Sequence, residues 1–151
     1  PDKVLAMHIF NPPPLMKLLE IIKTVVTSDE TVESVKTFAT SLDKTIVVTV
    51  DSPGSIVNRL LIPYLLDAVR LLEAGIASRE NIDMAIKLGL NYPMGPLALI
   101  DLIGVDTILF TANAIYEELK EPRFAAPILM KKMVTAGWLG RKTGKGFYDY
   151  S

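Results

Sequence analysis

A break at residues 51–54, Asp-Ser-Pro-Gly, divides this chain into two stretches of different character. Before the break, short β-branched runs flank one amphipathic pattern; after it, the apolar residues recur at helical spacing. All nine glycines lie at Gly54 or later. The predicted fold class is therefore mainly α, with a β-β-α-β segment over residues 1–51 and an all-helical domain over residues 52–151.

Local signals predict four elements before the break. Residues 4–10 are short, apolar and closed by proline, which indicates a buried strand, and residues 18–26 predict a second strand. The prolines between them predict a stiff, extended connection. Ser28 is the expected N-cap of a helix over residues 29–42, and residues 45–50 predict a third strand. The apolar face of that helix is expected to contain Val32, Val35, Phe38 and Ala39.

Five helices are predicted after the break. Residues 56–74 are apolar nearly all round, which indicates a buried central helix that is closed by Gly75 and is either kinked or locally broken in its hydrogen bonding at Pro63. Ser78 is expected to cap a second helix that runs to Leu88 and is closed by Gly89. The remaining helices are expected at about residues 97–103, 105–119 and 126–136, followed by a tail rich in glycine and lysine.

The composition excludes several classes of function. Sixteen basic and 17 acidic residues give a net charge of −1, which supports no nucleic-acid partner and no acidic membrane surface. No apolar run reaches the roughly 20 residues of a membrane span. The absence of cysteine fits a reducing compartment, and we expect a cytoplasmic protein. A single histidine among scattered acids supplies no metal-ligand cluster.

His8 is the only histidine, and Glu20 is a lone acid in an apolar strand. Histidine titrates near physiological pH, and a carboxylate on its second ring nitrogen makes it an oriented acid or base. A buried carboxylate is costly unless it is paired, so His8 is the natural partner of Glu20. The alternative is structural, because a lone histidine in a strand is more often a satisfied core residue than a catalyst.

Three further polar residues are candidates with an ordinary structural interpretation. Asn58 follows the Pro-Gly turn and either bonds the first helical turn or donates to a substrate oxygen. Asn11, before the prolines, is either a turn residue or a polar group of a cleft. By residue type alone, Lys142 is expected to be a solvated surface charge.

Taken together, these segments resemble the 3-hydroxyacyl-CoA dehydrogenase family, especially the bacterial 3-hydroxybutyryl-CoA dehydrogenases. The resemblance covers nearly the whole chain and is carried by residues 7–12, 16–22, 51–60, 92–97, 101–104 and 139–150. It implies oxidation of the 3-hydroxyl of an acyl-CoA to a ketone with NAD, in fatty-acid or butanoate metabolism. It also implies a Rossmann NAD-binding domain, of which residues 1–51 are the C-terminal part, and a helical C-terminal domain that mediates homodimerisation.

The resemblance also assigns roles to individual residues. His8 matches the catalytic histidine, Glu20 its carboxylate partner and Asn58 a substrate-binding asparagine. Asn11 and Lys142 match positions near the nicotinamide side of the cofactor. The glycine-rich phosphate loop of the family has no counterpart in residues 1–53, so we expect it on an upstream segment that completes the Rossmann domain.

Two alternatives stay open at the level of the sequence. In one, the chain is an inactive helical module for dimerisation or substrate binding. In the other, it is part of a multifunctional β-oxidation protein.

Overall fold

A three-stranded sheet covered by one helix forms the first of two units, Pro1–Ile56, in a computed structural model that describes residues 1–151. Its elements are β1 (Leu5–Ile9), β2 (Leu18–Lys23), α1 (Asp29–Ser41) and β3 (Thr45–Val50). The predicted order β-β-α-β is confirmed. Ser28 caps α1 as predicted, because its side chain accepts a hydrogen bond from the Thr31 amide.

The strands lie in the order β1-β2-β3, with β1 antiparallel to β2 and β2 parallel to β3. Helix α1 is the crossover that a parallel pair requires. Leu19, Ile21 and Ala39 form the buried core between sheet and helix. The register places His8 directly opposite Glu20 on the neighbouring strand.

Two burial predictions for this unit are wrong. Strand β1 is not buried: the Met7 and Ile9 side chains are 44% and 43% exposed, because β1 lies at the edge of the sheet and pairs on one side only. Phe38 is 54% exposed, whereas Ala39 is fully buried. Adjacent helical residues point about 100° apart, so a helix that buries Ala39 turns Phe38 outward.

The proline-rich connection between β1 and β2 is a turn, not the extended segment that was predicted. The carbonyl oxygen of Pro12 accepts hydrogen bonds from the Leu15 and Met16 amides, at 3.0 and 3.1 Å. Proline lacks a donor but keeps its carbonyl acceptor, which closes the turn here. Lys44 Nζ also donates to the carbonyl oxygens of Pro13 and Met16.

The second unit, Val57–Ser151, is helical. Its helices are α2 (Val57–Glu73), α3 (Arg79–Gly89), α4 (Pro96–Ile103), α5 (Val105–Leu119) and α6 (Ile128–Thr135), with short 3-10 turns at Pro122–Phe124 and Arg141–Thr143. Its core includes fully buried Leu65, Leu97, Ile100 and Phe124. All five predicted helices are confirmed.

Two details of these helices differ from the prediction. Helix α2 is buried on one face only, since Leu60 is 70% exposed while Leu65 and Val69 are buried. Pro63 lies inside this helix. Gly75 ends that helical stretch with a positive φ of 67°, as predicted. Gly89 is the last residue of α3 and does not close it; the left-handed residue that follows is Asn91.

No single helix is both long and apolar enough to cross a membrane. Only the pair α4 and α5, bent by 95°, meets the limits of length and composition together.

Candidate active site

His8 and the buried Glu20 are in direct side-chain contact in the first unit. Their opposite positions on an antiparallel pair bring the side chains together, and His8 Nδ1 lies 2.6 Å from Glu20 Oε2. The glutamate side chain is 1% exposed, whereas that of the histidine is 30% exposed. A buried carboxylate thus holds one edge of an imidazole that remains accessible to a ligand.

The second oxygen of Glu20 is bound by the backbone. Ile56 donates its amide to Glu20 Oε1 at 3.2 Å. The turn after β3 makes this contact possible, because Gly54 and Ser55 take positive φ values of 81° and 48° and Ser55 donates its amide to Ser52. Both carboxylate oxygens are therefore occupied, which fixes the plane of the Glu20 carboxylate.

This arrangement constrains the tautomer of the imidazole. A carboxylate in its ionised form only accepts hydrogen bonds, so the contact at 2.6 Å then places the proton on Nδ1. In the neutral ring of that tautomer, Nε2 is a lone-pair acceptor. The Phe10 ring lies 4.3 Å from the imidazole, measured between centroids.

The other predicted site residues are distributed over both units. Asn11 is exposed on the loop that follows β1, in the same unit as His8. Asn58 is half-buried in the first turn of α2, in the second unit. Lys142 is in the tail of the second unit, paired with Asp106. Within one unit, the structure thus joins His8 to Glu20, and the roles of the other three residues stay predictions.

The Lys142 ammonium favours the ionised form of the Asp106 carboxyl. Its Nζ donates to Asp106 Oδ2 at 2.7 Å. This hydrogen bond lowers the pKa of the Asp106 carboxyl, more than the opposing effect of burial raises it. Asp106 therefore ionises more readily than a free aspartate.

A second buried acid, Asp101, was missed by the sequence reasoning. Its side chain is 1% exposed, and it accepts the Phe147 and Tyr148 amides, each at 2.9 Å, and the Tyr150 hydroxyl at 3.0 Å. It therefore folds the tail back onto α4. The signal was present, because Asp101 is a lone acid in an apolar helix, just as Glu20 is in an apolar strand.

Asp83 anchors the same tail from α3. It accepts the Leu97 and Ala98 amides at 2.8 and 2.9 Å, which caps the N-terminus of α4, and the Tyr148 hydroxyl at 2.9 Å. Burial, and then the hydrogen bond to Asp83, raise the pKa of the Tyr148 hydroxyl. Tyr148 thus stays a neutral donor and joins the tail to α3.

Comparison with known proteins agrees with this architecture. The family model described as "3-hydroxyacyl-CoA dehydrogenase, C-terminal domain" matches residues 54–150, and "3-hydroxyacyl-CoA dehydrogenase, NAD binding domain" matches residues 1–52. The chain belongs to the 3-hydroxyacyl-CoA dehydrogenase family. The resemblance derived from the sequence is therefore confirmed, and so are the NAD-binding character of the first segment and the helical character of the second.

Individual relatives in this family are similar along the whole chain. A 3-hydroxybutyryl-CoA dehydrogenase of Clostridioides difficile is 50% identical over 151 residues, which are 100% of this chain and 54% of the relative. A mitochondrial hydroxyacyl-coenzyme A dehydrogenase of Sus scrofa is 49% identical over 99% of this chain and 48% of the relative. The chain thus spans about half the length of the curated relatives it matches.

Solved structures show the same fold. The crystal structure of (S)-3-hydroxybutyryl-CoA dehydrogenase from Ralstonia eutropha matches with a TM-score of 0.94 and 46% identity. That match covers 97% of this chain and 52% of the chain in the crystal.

Proposed function

We propose that this chain is part of an NAD-dependent 3-hydroxyacyl-CoA dehydrogenase that oxidises the 3-hydroxyl of an acyl-CoA to a ketone. Residues 1–51 are then the C-terminal part of its Rossmann domain, and residues 52–151 are its helical domain. The observation that carries the proposal is the contact of 2.6 Å between His8 Nδ1 and the buried Glu20 carboxylate. It supplies the oriented base that oxidation of an alcohol requires.

In the proposed reaction, His8 Nε2 accepts the proton of the 3-hydroxyl as hydride leaves C3. Bound NAD supplies the hydride acceptor. Glu20 keeps the first proton on Nδ1 and stabilises the imidazolium that forms. Because Ile56 holds the other carboxylate oxygen, Glu20 does not have to reorient during the step. Reversal of the same proton transfer reduces the ketone.

Each unit offers a polar group that suits the nicotinamide half of the cofactor. In the first unit, the exposed Asn11 amide can donate and accept hydrogen bonds, and in the second unit the partly exposed Lys142 ammonium can donate them. A diphosphate, in contrast, is bound by a glycine-rich turn at a helix N-terminus, and no glycine precedes Gly54. We therefore propose that the cradle for the diphosphate is on a segment of the parent protein outside this chain.

The substrate and the cellular compartment complete the proposal. Asn58, half-buried at the start of α2, positions the acyl-CoA. The similarity to 3-hydroxybutyryl-CoA dehydrogenases favours 3-hydroxybutyryl-CoA as the substrate. The lack of cysteine supports a reducing, cytoplasmic setting.

A homodimer through the helical domain is proposed from its surface. The large apolar side chains of Leu60, Leu88 and Phe110 are each at least 70% exposed on this unit, and burial of such side chains against a second copy would be favourable. We expect a dimer in sedimentation velocity at micromolar chain concentration. A clean monomer under those conditions would contradict the proposal.

The parent protein provides the direct test of the function. Purified full-length enzyme is expected to form NADH from 3-hydroxybutyryl-CoA and NAD, while this chain alone is expected to bind NADH weakly and turn nothing over. Failure of the full-length enzyme on 3-hydroxyacyl-CoA substrates of any chain length would refute the proposal. Tight NADH binding by the isolated chain would refute the assignment of the diphosphate cradle to another segment.

A further inference from the structure

The ion pair between Lys142 and Asp106 leaves part of the lysine ammonium accessible. Lys142 Nζ lies 2.6 Å from Asp106 Oδ1 and 2.7 Å from Oδ2. Nζ donates to Oδ2, and a lysine ammonium has three N–H donors, so at least one donor is left after the carboxylate is bound. The two side chains are 46% and 37% exposed, so the ammonium is partly accessible.

The backbone around the pair holds the Lys142 and Asp106 side chains close together. Gly104, with a φ of 114°, separates α4 from α5, and a side-chain carbon there would lie 2.9 Å from Asp106 Oδ1 and 3.1 Å from Lys142 Nζ. The first residue of α5, Val105, donates its amide to the carbonyl oxygen of Leu139 at 3.1 Å. The start of the tail is thus fastened to the helix that carries Asp106.

The pair contributes little to folding. Exposed ion pairs are screened by water and lose side-chain entropy when they form, and both partners here are more than a third exposed. Substitutions at either position are therefore expected to leave the fold intact. A glycine and a fastened tail hold this pair in place although it adds little stability, which favours a role in binding over a role in folding.

We propose that Asp106 is a positioning residue that orients the Lys142 ammonium and cancels its charge. The remaining N–H of Lys142 then donates to a neutral oxygen of the cofactor, such as an amide carbonyl or a ribose hydroxyl. An unpaired ammonium would instead be a point charge that favours phosphate. This inference rests on the proposed function, because it takes Lys142 as a residue of the cofactor site.

The pairing can be tested in the isolated chain, without cofactor. The nitrogen-15 NMR signal of the Lys142 ammonium is expected to be resolved at low temperature and to shift when Asp106 is replaced by Asn. Glu117→Gln is the matched control, because Glu117 pairs with Lys120 at the same distance, 2.6 Å, on the same helix. That control is expected to shift the Lys120 signal and leave the Lys142 signal in place.

The positioning role can be tested by NADH binding to the full-length enzyme. Lys142→Met and Asp106→Asn are each expected to raise the Kd for NADH about 2- to 10-fold, the range of one hydrogen bond. The double variant is expected to add nothing further, and Glu117→Gln is expected to bind as wild type. The loss in Lys142→Met should be equal at low and high salt, because a neutral pair is insensitive to screening.

The outcomes separate this inference from the proposed function. An Asp106→Asn enzyme with the wild-type Kd, additive losses in the double variant, or a loss that disappears at high salt would each overturn the inference. Should the Asn variant fail to fold, Asp106→Ser replaces it, since serine is tolerated in a first helical turn. A wild-type enzyme without NADH binding or turnover would instead refute the proposed function itself.

Discussion

Replacement of His8 by Gln is expected to lower kcat of the full-length dehydrogenase about 10²–10⁴-fold, which is the usual contribution of a positioned acid or base. Glutamine retains a side-chain N–H that can donate to Glu20, but it has no basic nitrogen to accept the hydroxyl proton. The 30% exposed His8 side chain belongs to no core cluster, so the fold is expected to tolerate the change. The measurement is steady-state oxidation of 3-hydroxybutyryl-CoA at saturating NAD.

Two controls distinguish loss of chemistry from loss of structure. The Kd for NADH and the thermal unfolding midpoint of His8→Gln are expected to stay close to the wild-type values. With those controls met, turnover within a few-fold of wild type would show that His8 is not the base.

Replacement of Asp101 by Ala is expected to cause the largest loss of stability among single substitutions of the residues that hold the tail. The change removes the acceptor of two backbone amides and of the Tyr150 hydroxyl. Each buried donor left without a partner costs about 1–3 kcal/mol, so the free energy of unfolding is expected to fall by about 3 kcal/mol. A loss of that size lowers the unfolding midpoint of a domain this large by roughly 10 °C or more.

Gly146→Ala is the independent test of the same contact. A side-chain carbon at Gly146 would overlap Asp101 Oδ1, so a comparable loss is expected although no hydrogen-bonding group is removed. Asp106→Asn, a partly exposed acid beside the same tail, is the control and is expected to cost less than about 1 kcal/mol. An Asp101→Ala chain with a wild-type unfolding midpoint would contradict this account of the tail.

The elements could be predicted from the sequence because their signals are local. The Ser28 cap, the β-branched run of β3 and the left-handed Gly75 each act within a few residues. The predicted boundaries of α5 and β3 match the structure. Hydrophobic spacing and capping residues therefore suffice for the order of helices and strands in this chain.

Burial was less predictable, because it depends on neighbours distant in sequence. The apolar composition of β1 is the same whether the strand is central or at an edge, and only the sheet order decides its exposure. The turn through Pro12 likewise depends on carbonyl acceptors, which every residue type supplies. Composition cannot distinguish such a turn from an extended proline segment.

The residues of the candidate site were predicted, but the contacts that hold them in place were not. His8 and Glu20 were identified from residue type and from the cost of a buried acid. The Ile56 amide that holds Glu20 is 36 positions away, and a backbone donor has no signature in a sequence. Asp101 could have been found by the argument that identified Glu20, but its partners in the tail lie 46 or more positions away.

The tautomer of His8 tests the central claim most directly. The chain contains one histidine, so long-range proton–nitrogen NMR reports its ring without ambiguity. In the neutral ring, we predict the proton on Nδ1, protected from exchange by Glu20, and a bare Nε2; Glu20→Ala, which removes the acceptor, should abolish that protection. A wild-type ring protonated mainly on Nε2, or a spectrum unchanged in Glu20→Ala, would contradict an imidazole oriented by Glu20 to act as the base.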